Sequence, residues 1–193
     1  MSTYTALHVQ SRDDAAQSLF TQWLKSANGA RIVHVSRLNS FPFDFYWDDF
    51  LISGQPPTVL AAGYEQPDWL TVHYNSFCKM QELSAELSRA LNCLSVVVMA
   101  QSVSEAYFVS IHRCGEHLRT LEYAGDQGEW ITQDGSPLPF ENYPLGRNLS
   151  EKGEEPFYVF GRDEVEEYCS QLGLNLWRGA AAPVWTLLKA VKA

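Results

Sequence analysis

The sequence feature that most constrains the fold is a series of short apolar or alternating segments, separated by turn-forming residues, between residues 94 and 132. Leu94–Ala100 is the most apolar segment and predicts a central, buried strand. Cys114-Gly115 predicts a tight turn between two of the segments that follow it. Because strands joined by short turns pair as antiparallel neighbours, the region predicts a β-meander. Its later strands are Glu105–Arg113, Glu116–Tyr123 and Glu129–Thr132.

The rest of the chain predicts helices and further strands. Apolar residues recur at helical spacing in Ala16–Ala27, Phe77–Leu91 (with Ser76 as its N-cap), Arg162–Leu172 and the segment after Pro183. Strands are predicted at Tyr4–Gln10, Arg31–Ser36, Thr58–Tyr64 and Trp69–Asn75. The opening strand–helix–strand order is compatible with a parallel pair. Together these patterns predict a single α+β domain spanning residues 1–193, with a mostly antiparallel sheet, helices packed on one face and a helical C-terminus.

The chain is acidic, with 23 Asp and Glu residues, 14 Lys and Arg residues and a formal net charge of −9. Nucleic acids and anionic lipids need a basic surface, so we expect no nucleic-acid partner and no membrane partner.

The acidic residues are segregated along the sequence. Five acids and no Lys or Arg lie between Arg37 and Lys79, and twelve acids accompany three basic residues from Glu122 to Glu167. This distribution favours an acidic surface for a basic partner, although acidity for solubility alone is the alternative.

No sequence motif indicates a catalytic or cofactor-dependent chemistry. The cysteines Cys78, Cys93, Cys114 and Cys169 show neither CxxC nor zinc-type spacing, so we expect free thiols. The N-terminus lacks a secretory signal and no apolar run could span a membrane, which predicts a cytoplasmic location. We expect no catalytic residue, no metal site and no cofactor. The alternative is a Cys/His or carboxylate site, and a pocket that collects His73, His112 and Cys114 would favour it.

The stretch Phe41–Phe50 interleaves six aromatic residues with three acids. Aromatic rings supply rigid contact area and neighbouring carboxylates pair with a cationic partner, so the stretch predicts a docking surface. The alternatives are that these rings fill a core under a loop and that the acidic run after Arg162 is a solvated helix face. The predicted partner-binding residues are Asp44, Trp47, Asp48, Asp49, Glu151, Glu154, Glu155, Asp163, Glu164, Glu166 and Glu167.

Between residues 69 and 141, four motifs follow one another in order. They are a helix ending in Leu-Ser-Arg-Ala-Leu, the strand Leu-Ser-Val-Val-Val-Met-Ala, a hairpin turning at Cys-Gly, and a Pro-Leu-Pro-Phe-Glu exit. This order resembles that of bacterial immunity proteins found beside polymorphic or type VI secreted toxins. The resemblance implies a small acidic α+β protein, without enzymatic activity, that binds and blocks one cognate toxin. It transfers no functional residue.

The function predicted from these observations is that of a cytoplasmic, immunity-type inhibitor. Its acidic, aromatic-rich surface would dock against the basic cleft of a cognate toxin, with charge accelerating capture and aromatic anchors slowing release. One alternative is a small hydrolase or transferase that uses a His/Cys or carboxylate site. Another is an adaptor or chaperone for a secreted protein.

Overall fold

The computed structural model describes residues 3–12, 15–42, 50, 55–126, 128–151, 154–176 and 184–191. The helices in this part of the chain are α1 (Ala15–Asn28), α2 (Gln81–Ala90) and α3 (Arg162–Ser170). The strands are β1 (Thr3–Val9), β2 (Ile32–Leu38), β3 (Val59–Gln66), β4 (Trp69–Tyr74), β5 (Leu94–Gln101), β6 (Ala106–Arg113), β7 (Glu116–Ala124), β8 (Glu129–Asp134), β9 (Arg147–Asn148), β10 (Tyr158–Val159) and β11 (Trp185–Val191).

Nine of these strands form one sheet, in the order β2-β11-β3-β4-β1-β5-β6-β7-β8. Every neighbouring pair is antiparallel, which confirms the mostly antiparallel α+β fold. The meander from β5 to β8 is confirmed as well. Its β6–β7 turn places Cys114 and Gly115 at φ angles of 52° and 88°, the left-handed values that a two-residue hairpin turn requires. Strands β9 and β10 form a separate ribbon.

Alternation along the central strands gives the sheet two buried faces. In β5, Val97 and Met99 belong to the core under α1 and α2, whereas Val96 and Val98 belong to the core under α3. The prediction that the helices pack on one face therefore fits α1 and α2 but not α3. The physical reason lies in β5 itself, because a strand that is apolar on both sides must be covered on both sides.

Helix α1 shows how the local sequence builds the first of these cores. Ala16, Phe20 and Leu24 follow one another at intervals of four residues and are buried against the sheet. Removing Phe20 or Leu24 from water contributes about 1.5–3 kcal/mol each. The helix ends at Asn28, and Gly29 follows with a φ of +57°, a conformation that suits glycine at a helix C-terminus.

The C-terminal segment is a strand, so the prediction of a C-terminal helix is wrong. Val184, Leu187, Leu188 and Val191 have helical spacing, but β11 lies between β2 and β3 and pairs with both. Pairing on two sides satisfies the backbone of β11. It also buries Trp185 on one face of the sheet and Leu188 on the other.

Two other details differ from the sequence predictions. Strands β1 and β2 form no parallel pair, because β11, β3 and β4 lie between them in the sheet. Helix α2 begins at Gln81, about one turn later than predicted. The Ser76 hydroxyl does not cap it, and instead accepts a 3.0 Å hydrogen bond from the backbone N–H of Cys78 in the preceding loop.

Candidate binding site

Helix α3 carries four of the predicted partner-binding carboxylates, and its sequence explains its position. Val165, Tyr168 and Cys169 recur at helical spacing and are buried in the second core. At the N-terminus, the Glu164 carboxylate accepts a 2.9 Å hydrogen bond from the backbone N–H of Gly161. That bond satisfies a donor outside the helical ladder, at the end of the helix where negative charge is favoured.

An open cleft lies between α3 and residues 140–147, and we call it the α3 cleft. Its volume is about 580 Å³, within the usual range of ligand-binding clefts. Helix α3 and the residue after it contribute one wall, and residues 140–147, which end at the start of β9, contribute the other. The α3 wall consists of Asp163, Glu164, Glu167, Tyr168 and Gln171, and the opposite wall includes Phe140, Asn142, Pro144, Leu145 and Arg147.

Carboxylates dominate the rim of the α3 cleft. Asp163 and Glu167 lie about one helical turn apart and are both exposed. Within the described residues, neither side chain forms an ion pair. Arg147 is the single basic residue among the described lining residues, and its Nε lies 3.3 Å from Oε1 of Glu164. The rim therefore carries two unneutralised carboxylates.

A buried ion pair lies at the wall of the cleft, since Glu141 is one of the lining residues. Arg119 of β7 and Glu141 meet in a bidentate pair, with 2.9 Å from Nε to Oε1 and 2.9 Å from Nη2 to Oε2. The two side chains are only 2% and 0% exposed. The other terminal nitrogen, Nη1, donates to the carbonyl oxygens of Asp134 and Gly135 at 3.2 and 3.0 Å. A buried charge pair needs such complete hydrogen bonding to offset its desolvation.

Glu141 is the centre of this network. Its carboxylate also accepts hydrogen bonds from the hydroxyls of Tyr143 at 2.9 Å and Tyr168 at 2.7 Å, and from the backbone N–H of Leu138 at 3.1 Å. Burial alone would raise the pKa of Glu141, but the hydrogen bonds from Arg119 and its other donors outweigh burial and hold that pKa below its ordinary value. Burial and the bond to Glu141 raise the pKa of Tyr168.

The network joins the two walls of the cleft to the sheet. Tyr168 belongs to α3, Tyr143 to the opposite segment, and Arg119 to β7. The chain also passes very close to β7 at Gly135, where φ is +86° and an added methyl group would overlap the carbonyl of Leu118. Glycine is therefore required at the point where this segment leaves the sheet.

Neither Arg119 nor Glu141 is among the residues predicted from the sequence. Arg119 alternates with Leu121 and Tyr123 along β7, and a charge in an inward-facing series was the signal for a buried pair. Glu141 lies in an irregular, proline-rich segment, 22 positions after Arg119, and no local pattern marks its partner.

The structure brings together only some of the predicted carboxylates. Asp163, Glu164 and Glu167 line the cleft, whereas Glu166 is half-buried on α3 and is not among the lining residues. The second group is exposed on the loop that connects β9 to β10, before α3 begins. Its members are Glu151, Glu154 and Glu155.

The residues predicted from the first acidic stretch, which are Asp44, Trp47, Asp48 and Asp49, lie outside the described residues. Both aromatic residues that border the stretch pack against the protein. The Phe41 ring lies 4.9 Å from the rings of His73 and Trp185, centroid to centroid, and the Phe50 ring lies 5.0 Å from that of Phe77. For Phe41, which packs against a buried cluster that contains Trp185, the alternative that the ring fills a core describes the structure.

His112 lies in a neutral polar network under α2. Its Nδ1 lies 3.0 Å from the hydroxyl of Ser84, which in turn lies 2.7 Å from the hydroxyl of Ser95. Ser84 and Ser95 have no exposed surface and His112 is 5% exposed. Burial and the nearby His117 lower the pKa of His112 to about 4. Ser84 is therefore inaccessible to a substrate, although its contact with a histidine resembles that of a serine nucleophile with its general base.

His73 lies on the opposite face of the sheet. Its Nε2 is 3.3 Å from Oε1 of Glu65, and its ring packs on Phe41 and Trp185. On the same face, burial and the neighbouring His73 lower the pKa of His8 to about 3. Because His73 and His112 lie on different faces, the pocket of His73, His112 and Cys114 that would have favoured a hydrolase or transferase does not form.

The remaining candidates for chemistry are dispersed. The four cysteines are unpaired, with Cys169 buried and Cys114 exposed. No group of three or more His, Cys, Asp or Glu side chains in the described ranges could hold a metal ion. In the same part of the chain, no helix has both the length and the apolar character needed to cross a membrane.

In comparisons with known proteins, no family model, no curated protein and no solved structure matches this chain significantly.

Proposed function

We propose that the protein captures a basic partner protein through the α3 cleft and acts as a cytoplasmic, immunity-type inhibitor of a cognate toxin. The observation that carries this proposal is the pair Asp163 and Glu167, two exposed carboxylates without an ion-pair partner among the described residues, at the rim of a preformed cleft. Such a pair attracts a lysine or arginine side chain. The partner is a toxin whose own cleft is basic, and the inhibitor has no catalytic role in the complex.

The aromatic residues of the cleft suit the same occupant. Phe140, Phe160 and Tyr168 line it, and the half-buried Phe140 packs edge to face on the buried Tyr168 with ring centroids 5.1 Å apart. An aromatic surface attracts a cation over its ring face and accommodates the apolar stem of lysine or arginine. Exposed carboxylates and the ring of Phe140 in one cleft therefore favour a long cationic side chain over a small inorganic cation.

The buried Arg119–Glu141 pair supports the proposal, because its hydrogen bonds link both walls of the cleft to the sheet. A surface that is already ordered loses less conformational entropy when it binds. The exposed carboxylates Glu151, Glu154 and Glu155 add negative charge to the β9–β10 loop, which precedes α3 directly. Charges of this kind increase the association rate of an oppositely charged partner.

The experiment that tests this function is affinity purification of the tagged chain with the product of its neighbouring gene, followed by association kinetics on the complex. The variant Asp163→Asn/Glu167→Gln removes two charges with little change in shape. It should slow association by about tenfold at low salt and flatten the salt dependence. Stoichiometric addition of the unmodified chain should abolish the activity of the partner.

A matched control exists on another helix. Glu82 and Glu86 are exposed on α2, also four positions apart, and α2 covers the other face of the sheet. Glu82→Gln/Glu86→Gln changes the net charge by the same amount and should leave most of the association rate intact. Equal slowing by the two double variants would show that the α3 cleft is not the docking site.

A further inference from the structure

Strand β2 forms one edge of the sheet. Within the described residues it pairs only with β11, in a ladder that covers all seven positions of β2, from Ile32 to Leu38, without a register shift. A regular edge strand exposes a row of unpaired N–H and C=O groups that can accept a further strand.

The side chains of β2 have few features that prevent a further strand from pairing with this edge. Five of its seven residues are exposed, and they include Ile32 at 58% and Val35 at 47%. The strand contains no proline and no acid. The opposite edge of the sheet, β8, is different, because its ladder with β7 contains a register shift, a distortion that discourages further pairing.

Charge and apolar surface alternate in a simple order on one side of β2. Val33, Val35 and Arg37 share a face of β2, because successive strand residues point to opposite sides, and Arg31 directly precedes the strand in the same alternation. This is the face that α1 covers, since Val35 pairs with Leu188 of the core under α1. Both arginines are exposed, and no ion pair of either is present in the described part of the chain. The sequence contains no Asp or Glu from Ala15 to Pro42.

We propose that β2 is a docking edge for an extended, acidic segment of a partner protein, which adds to the sheet as a tenth strand. The segment that complements the row Arg31, Val33, Val35 and Arg37 has the pattern acid-x-apolar-x-apolar-x-acid. Carboxylates then lie opposite the two guanidinium groups, and apolar side chains lie opposite the two valines. The pattern is the same in both chain directions, so it does not depend on whether the added strand is parallel or antiparallel.

A second copy of this chain fits the edge poorly. Joining two β2 strands in one ladder would bring four guanidinium groups together without a carboxylate among them. Like charges across neighbouring strands destabilise pairing. The β2 edge is also distinct from the α3 cleft in its charge, so its partner differs from the basic partner proposed above, and the two proposals can fail independently.

The test uses the whole protein and two fluorescein-labelled, end-capped peptides. The first is Glu-Thr-Val-Thr-Val-Thr-Glu, and its matched control is Lys-Thr-Val-Thr-Val-Thr-Lys. The acidic peptide should bind, as measured by fluorescence anisotropy, and should slow hydrogen exchange in β2 but not in β8. The variant Arg31→Glu/Arg37→Glu should bind the acidic peptide about tenfold more weakly and should prefer the lysine peptide.

A second charge reversal controls for nonspecific attraction. Lys25 is an exposed residue of α1, and Lys25→Glu should leave the affinity for the acidic peptide unchanged. The proposal is overturned if the acidic peptide does not bind at millimolar concentration, if both peptides bind equally, or if protection appears outside β2. It is also overturned if light scattering shows a dimer or polymer that the Arg31→Glu/Arg37→Glu variant dissociates, because the edge would then bind a copy of the same chain.

Discussion

The two faces of the sheet are each held together by a buried polar network, but the networks differ in charge and in what they connect. Under α2, the network of Ser84, Ser95 and His112 is neutral and joins residues of regular helices and strands. At the wall of the α3 cleft, the pair Arg119 and Glu141 is ionic and attaches an irregular segment to the sheet.

The difference reflects how much apolar surface each segment can bury by itself. Helix α2 buries Leu83 and Leu87 against the sheet, so its hydroxyl groups need only satisfy one another. Residues 135–146 lie outside the helices and strands and contain three prolines, which donate no backbone hydrogen bond. A charged group with several donors can hold such a segment, because one guanidinium bonds two carbonyls and a carboxylate at once.

The largest expected effect is on the ionic network. Arg119→Met leaves the Glu141 carboxylate buried without its counter-charge, which should lower the free energy of unfolding by about 3–5 kcal/mol. The melting temperature should fall by roughly 6–20 °C for a domain of this size. Thermal and urea unfolding measure both quantities.

A second variant tests the physical reason for that loss. Arg119→Met/Glu141→Leu removes both charges and should recover much of the stability, because no unpaired charge remains buried. If the double variant is less stable than Arg119→Met, the loss comes from packing and hydrogen bonds to the carbonyls of Asp134 and Gly135, not from the orphaned carboxylate.

Disrupting the neutral network should lower the free energy of unfolding by a smaller amount. Ser84→Ala removes the hydroxyl that lies next to both His112 and Ser95, and should lower the free energy of unfolding by about 1–2 kcal/mol. Ser170→Ala is the control on α3, since its hydroxyl is exposed, and its effect should stay within about 0.5 kcal/mol. A loss from Ser84→Ala as large as that from Arg119→Met would remove the distinction between the two faces.

Mild acid should act on the buried histidines before it acts on the ionic network. The pKa of His8 is 6.5 in an ordinary environment and about 3 in the folded protein, so the unfolded chain binds the proton more tightly. The stability that neutral His8 contributes is complete above its ordinary pKa, and it declines as the pH falls toward the folded value. From about pH 7 to about pH 5.5 the loss is about 1 kcal/mol. His112 adds a loss of the same sign.

The contribution of the buried histidines can be separated from that of the ionic network in this titration. Urea unfolding at a series of pH values should give a flatter profile between about pH 7 and about pH 5.5 for His8→Gln and for His112→Gln than for the unmodified chain. The Glu141 carboxylate has a lowered pKa, so its contribution declines only at pH values below its ordinary range. An unchanged profile in both histidine variants would contradict the assignment.

Most of the strands of the meander could be predicted from the sequence because their determinants are local. Leu94–Ala100 is a continuous apolar run, and Cys114-Gly115 joins two alternating segments by the shortest hairpin turn. The acidic face of α3 could be predicted equally well, since the apolar stripe of Val165, Tyr168 and Cys169 assigns the remaining side chains of the helix to solvent. The α3 cleft could not be predicted, because the position of its second wall depends on the contact between Arg119 and Glu141.

The amino-acid order by itself determined which segments alternate apolar and polar residues, where the chain turns and where its acidic residues are concentrated. These properties depend on neighbours a few positions apart. Only the tertiary structure decided which segments meet. Val184, Leu187, Leu188 and Val191 have helical spacing, yet the segment forms a strand because β2 and β3 hydrogen-bond to it from both sides. The same long-range pairing separates β1 from β2, and a side-chain contact across 22 positions joins Arg119 to Glu141. A free energy that comes from partners far away in the chain overrides the modest preferences of short segments.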